Sequence, residues 1–290
     1  MNDSRTPDVR RLEVRSPEVR RPTIGVFDSG VGGLTVLRAL VHRIPDANYF
    51  YFGDTARLPY GSKSASTVAH YAVGAINYLQ ERGAELLVIA CNTATALAFD
   101  EIRAASKVKV IGVVEPGANA ASSASRTHNV VVIGTDATVS SHAYRRALEA
   151  RNVVVKEKAC PLFVPLVEEG WIDHPVTEQV ARIYLGQAFS DDASNADVLV
   201  LGCTHYPLLK PVLRRIAPPH VEIVDSADST AQEVARQLQI HPLASSSDAE
   251  RRASARLKFF ATDSAEKFKK MGSRFLGLPV EDVLHVDLKE

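Results

Sequence analysis

From Thr23 onward the chain repeats one alternation: a short apolar run, a small polar turn, then a stretch with helical spacing. TIGVF (23–27), NYFYF (48–52), ELLVIA (85–90), KVKVIGV (107–113) and NVVVIG (129–134) read as strands. So do VVVKEKA (153–159), ADVLVLG (196–202), VEIVD (221–225), RLKFFAT (256–262) and VLHVD (283–287). Helices are predicted over 32–44, 64–83, 93–105, 116–124, 140–150, 174–189, 206–216, 229–239 and 264–275. Strands that are apolar on both faces and separated by helices make parallel sheets covered on both sides. The fold class is therefore α/β and doubly wound. Some ten strands are too many for one small sheet of this kind, so the 290 residues predict two such domains.

The halves also resemble each other. IGVFDSGVGGLTVLRAL (24–40) parallels VVIGTDATVSSHAYRRAL (131–148), which sets Thr135 against Asp28, 107 residues on. LLVIACNTATAL (86–97) parallels LVLGCTHYPLL (199–209), which sets Cys203 against Cys91, 112 residues on. Two landmarks with nearly equal offsets predict domains related by a pseudo-twofold axis, with a cleft between them.

Bulk properties exclude several classes. Lys plus Arg and Asp plus Glu each total 34, so no net field points to nucleic acid or a membrane. No apolar run approaches the roughly 20 residues of a membrane span, and the N-terminus lacks the apolar core of a secretory signal. Three cysteines without a C-x-x-C pattern form neither a disulfide framework nor a structural zinc site. A cytoplasmic protein with free thiols is expected. Residues 1–22 stand apart, with six arginines, four acids, three prolines and little to bury. They predict a disordered tail.

In doubly wound sheets ligands bind beyond the carboxyl ends of the strands, which is where Cys91 and Cys203 fall. Each precedes a helix start, whose backbone N–H groups favour a thiolate or a bound carboxylate. Four chemistries use such a pair. A disulfide is disfavoured in the cytoplasm. A zinc site from Cys91, Cys203 and His205 needs a further ligand. A hydrolytic Cys–His pair leaves the second thiol without a task. Stereoinversion uses both, one thiolate removing a proton and the opposed thiol delivering one. Cys160, in KACPLF, has no matching partner and reads as a structural core residue.

Other polar corners accompany the thiols. VFDSGVGG places Asp28 and Ser29 at the end of the first strand. FGDTARLPYGSKS (52–64) is a Pro-Tyr-Gly turn whose amides suit a carboxylate. PLFVPLVEEGW (161–171) follows an apolar stretch with Glu168 and Glu169, one of which is expected to face the cleft.

The motifs IGVFDSGVGGL, YFGDTARLPYG, ACNTATA, VIGVVEPG, CPLFVPLVEEG and LGCTHYPLL, spread from Ile24 to Asp287, together resemble the glutamate racemases of the cofactor-independent aspartate/glutamate racemase superfamily. The resemblance implies catalysis by Cys91 and Cys203, with Asp28 assisting the first, His205 the second, and Glu168 supporting the histidine. It implies substrate contacts from Asp28, Ser29, Tyr60, Gly61, Asn92, Thr93, Thr204 and His205. It implies interconversion of L- and D-glutamate without cofactor or metal, supplying D-glutamate for peptidoglycan, with an aspartate or hydantoin racemase as the sister alternative. It also implies a homodimer. Some relatives are reported to bind DNA gyrase, a contact the arginine-rich tail would suit. The domains implied are 23–115 with 225–290, and 116–224, the C-terminal segment returning to complete the first.

Overall fold

The computed structural model describes residues 21–190, 195–240 and 256–288. The polar segment 241–255 and all of the tail except Arg21 and Pro22 lie outside the described residues. The gyrase contact assigned to that tail falls outside them too.

Two all-parallel sheets form. The first has six strands in the order β10-β9-β2-β1-β3-β4, and the second four in the order β6-β5-β7-β8. The first contains β1 (Thr23–Asp28), β2 (Asn48–Gly53), β3 (Leu86–Ile89), β4 (Lys109–Gly112), β9 (Arg256–Ala261) and β10 (Val283–His285). The second contains β5 (Asn129–Gly134), β6 (Val154–Ala159), β7 (Val198–Gly202) and β8 (Glu222–Asp225). The inner strands β3 and β7 are buried at every position, as strands covered on both faces must be.

Strand order carries the internal repeat. β2-β1-β3-β4 and β6-β5-β7-β8 run in the same order, so β3 and β7 hold equivalent places and so do β1 and β5. The chain returns to the first sheet at its end: β9 pairs with β2, from Asn48↔Arg256 to Gly53↔Ala261. No periodicity in the sequence shows that return, because it is a choice of neighbour and not of local conformation.

The helices are α1 (Leu34–Arg43), α2 (Ala65–Glu81), α3 (Asn92–Ala105), α4 (Val114–Ala124), α5 (Asp136–Ser140) and α6 (Ala143–Glu149). They continue with α7 (Phe163–Glu168), α8 (Pro175–Ala188), α9 (Lys210–Ile216), α10 (Ser226–Gln237) and α11 (Ala265–Leu276). Three differ from expectation. The helix read over 140–150 starts earlier and breaks: Thr135 caps α5, Ser141 Oγ bonds back to Thr138 O, and His142 turns left-handed at φ 53°. Hydroxyl groups that bond their own backbone offer it such an exit. The helix read over 206–216 opens as a 3-10 turn, Tyr206–Leu209, before α9, with a proline in the first turn of each. The apolar stretch before Glu168 is itself helical, and its brevity hid it. α10 packs on both α1 and α4, joining the two halves.

Candidate active site

The first thiol sits at a helix start. Cys91 caps α3, its Sγ accepting the Ala94 amide at 3.4 Å, and the thiol reaches Ser29 Oγ at 3.5 Å. Asp28, the last residue of β1, accepts the Gly30 amide on Oδ2 at 3.0 Å, while its buried Oδ1 has no hydrogen-bond partner among the described residues. A helix start alone favours a thiolate, but here burial wins. Desolvation, followed by the nearby Asp28 charge, pushes the Cys91 thiol up to about 12, against hydrogen bonds from Ser29 and Ala94. Burial raises Asp28 as well, against the backbone amides that favour its anion. The helix start therefore does not make Cys91 a thiolate: burial outweighs it and the thiol keeps its proton.

The second thiol has another arrangement. Cys203 follows β7, with Thr204 and His205 before the 3-10 turn. His205 Nδ1 stands 4.0 Å from Cys203 Sγ and 3.5 Å from Thr204 Oγ1, and its Nε2 is 3.1 Å from Glu168 Oε1. Burial disfavours the imidazolium, but the hydrogen bonds to Cys203 and Glu168 outweigh it and hold His205 up to about 10. The same bond from His205 keeps the Glu168 carboxyl below its ordinary range, against partial desolvation. Of the two acids after the apolar stretch, Glu168 joins the cleft and Glu169 is exposed.

One loop joins the corners. Ser29 touches Cys91, and three residues later Gly32 abuts the second corner: a Cβ there would lie 2.3 Å from Thr204 Oγ1 and 2.5 Å from His205 Nδ1. Thr35 Oγ1 donates to Thr204 O at 3.1 Å across the same seam. One loop therefore touches both thiol corners, which lie at the carboxyl ends of equivalent strands.

The remaining expected residues converge there unequally. Asn92 and Thr93 open α3 and are buried. Tyr144 donates to Asn92 Oδ1 at 2.7 Å, and Thr93 Oγ1 lies 3.1 Å from Thr135 Oγ1 and 3.3 Å from Thr138 Oγ1. Gly61 approaches Thr135 from the other side, a Cβ there falling 3.4 Å from the threonine. Tyr60 is buried, but its hydroxyl donates to Asp54 Oδ2 at 2.6 Å and is committed to that carboxylate. Thr135, Thr138 and Tyr144 were not singled out as site residues. Thr135 alone carried a signal, as the counterpart of Asp28 in the repeat. Cys160 is buried in the core, and Tyr206 donates to its carbonyl at 2.9 Å. Among the described residues no group of three or more His, Cys, Asp or Glu side chains is arranged to hold a metal ion. No helix among them is long and apolar enough to cross a membrane.

The Glu168–His205 pair makes stability depend on pH. A lowered carboxyl contributes stability above its unfolded value of about 4.3, lost as pH falls through its folded value. A raised histidine contributes fully below about 6.5 in the unfolded scale, and that contribution is lost as pH rises through the folded value near 10. Glu168→Gln should therefore lower stability most between about pH 4.5 and 6.5, with the gap closing toward pH 10. Urea unfolding of both proteins across that range checks this; a gap independent of pH would refute the pairing.

Two parallel α/β domains with a thiol at the same strand end in each define a racemase of the Asp/Glu type. The Asp/Glu/Hydantoin racemase family model matches residues 24–234, and the chain belongs to that family. Its similar relatives lie among the glutamate racemases. The glutamate racemase of Koribacter versatilis is 59% identical over 286 residues, 93% of this chain and 98% of that protein. The crystal structure of the glutamate racemase isoform RacE1 from Bacillus anthracis superposes with a TM-score of 0.83 at 34% identity, covering 92% of this chain and 98% of that one. The Francisella tularensis glutamate racemase solved in complex with D-glutamate gives 0.81 at 33% identity, with the same coverage.

Proposed function

We propose that this chain interconverts L- and D-glutamate by proton transfer at Cα between two opposed thiols. The observation that carries this is the shared wall: Ser29 meets Cys91, and Gly32 meets the Thr204–His205 corner of Cys203. Glutamate as substrate is supported by its presence, as the D-isomer, in the Francisella relative.

The Cα proton is very weakly acidic, because the neighbouring carboxylate is already an anion. Deprotonation needs fixed donors where charge grows, in a site closed to water. The amides and hydroxyls of Ser29, Asn92, Thr93 and Thr204 are the donors in reach of the substrate carboxylate, and the unpartnered Asp28 Oδ1 suits its ammonium group. For the L-isomer, Cys203 as thiolate takes the Cα proton while Cys91 as thiol delivers its own to the opposite face. Cys203 ends as thiol and Cys91 as thiolate. The D-isomer runs the reverse. His205, beside Cys203 and held by Glu168, lets that thiol ionise; Asp28 serves Cys91 in the same way once the substrate ammonium is in place. The D-glutamate formed would supply peptidoglycan synthesis.

Incubation with L-glutamate in D2O, without added cofactor, tests this. Deuterium should enter Cα as optical rotation is lost, and aspartate should exchange far more slowly. Exchange of aspartate but not glutamate would assign the sister activity instead.

A further inference from the structure

Glu168 lies in the last turn of α7, a helix too short to satisfy its own final carbonyls. α7 packs against α8 and the turn after Cys203, all in the half built on the second sheet. Its end is met from the other half. Arg274, on α11, aims Nη1 at Val167 O, 3.2 Å away, and at Glu168 O, 3.4 Å away. α11 packs on α1 and β10, so it belongs to the half of the first sheet. Gly170, where the chain leaves α7, has φ 84°, and a Cβ there would lie 2.8 Å from Arg274 Nη2. Glycine is the residue that both adopts this backbone and leaves room for a guanidinium. The next residue of α11, Phe275, sets its ring edge-on to His205, centroids 5.1 Å apart.

We propose that Arg274 is a positioning residue, reaching from one domain to lock the end of α7 in the other so that Glu168 stays on His205. The proton relay of Cys203 is then complete only while the two domains are docked. The inference rests on the two-thiol reading above. A cation at a helix C-terminus meets both the free carbonyls and the negative end of the helix dipole. Arginine does so with Nη1 on both carbonyls while the rest of its planar guanidinium lies against Gly170, a flat arrangement that the compact ammonium of lysine reproduces only in part. Because the arginine is exposed, its loss leaves carbonyls that water can reach, and the fold survives.

The groups facing His205 are Cys203 and Thr204 from its own segment, Glu168 from α7, Asp28 from β1, and Phe275 from α11, while Lys267 of α11 acts on Glu168. Arg274→Ala leaves all of these in the chain, so a changed pH profile reports a displaced Glu168. Arg274→Ala, Arg274→Lys, Glu168→Gln and the Ala/Gln double variant are compared in glutamate racemisation across about pH 6 to 10. For Arg274→Ala, kcat should fall roughly tenfold with KM little changed, and the alkaline limb set by His205 should move to lower pH. Glu168→Gln should reproduce that shift, the double variant should be no worse than Glu168→Gln alone, and Arg274→Lys should recover part of kcat. Multiplying losses in the double variant, or an unmoved pH profile, would overturn the proposal. If the wild-type protein exchanges Cα hydrogen and Arg274→Ala matches it, this inference alone falls. If the wild type exchanges nothing, the two-thiol reading falls and takes this inference with it.

Discussion

Cys91→Ser and Cys203→Ser should each abolish racemisation, with losses on the order of 10³-fold, while failing in opposite ways in D2O. With Cys91 replaced, Cys203 and His205 still take the Cα proton of the L-isomer and return deuterium to the same face. The L-isomer should therefore exchange without inverting, and the D-isomer should not exchange. With Cys203 replaced, the pattern should reverse, and more weakly, because Cys91 lacks a histidine and burial holds its thiol at about 12. NMR of Cα deuteration in each pure isomer reads both outcomes. Equal loss of exchange from both isomers in both variants would rule out one base per face.

Gly32→Ala should cost about 10²-fold in kcat while moving Tm by no more than about 2–4 °C. The Gly32 backbone is not left-handed, so alanine is tolerated conformationally. Its methyl group, though, would arrive 2.3 Å from Thr204 Oγ1 and 2.5 Å from His205 Nδ1. Side chains yield more cheaply than packed backbone, so His205 would swing away from Cys203 and Glu168, or the domains would part slightly. Either movement misplaces a proton partner by a fraction of an ångström or more, which near-attack geometry does not tolerate. Thermal unfolding and steady-state kinetics on the same preparation separate the two effects. Unchanged kcat would show that Gly32 does not set the approach of the second corner.

Much of this was legible in the chain. Uninterrupted apolar runs such as LLVI (86–89) and VLVL (198–201) mark central parallel strands in the sequence itself, and both strands are buried at every position. Cys91 and Cys203 could be paired because a repeated strand–turn–helix unit puts its functional residue at the same place each time. Short or interrupted elements were less legible. α7 has six residues, too few to display a helical period, and the break at Ser141–His142 depends on one hydroxyl turning back on its own backbone.

The sequence alone determined the class of fold, the two thiol corners and the residues beside them, because these follow from local periodicity and chain order. Only the tertiary structure decided how the corners differ. Cys91 keeps its proton because burial and Asp28 oppose the helix start, whereas Cys203 has a histidine braced by Glu168. It also decided what spans the cleft: Thr93 against Thr135 and Thr138, Tyr144 against Asn92, and Arg274 against the end of α7. Desolvation and contacts between residues far apart in the chain arise only when the two domains close on each other, and no local pattern encodes which side chains will then meet.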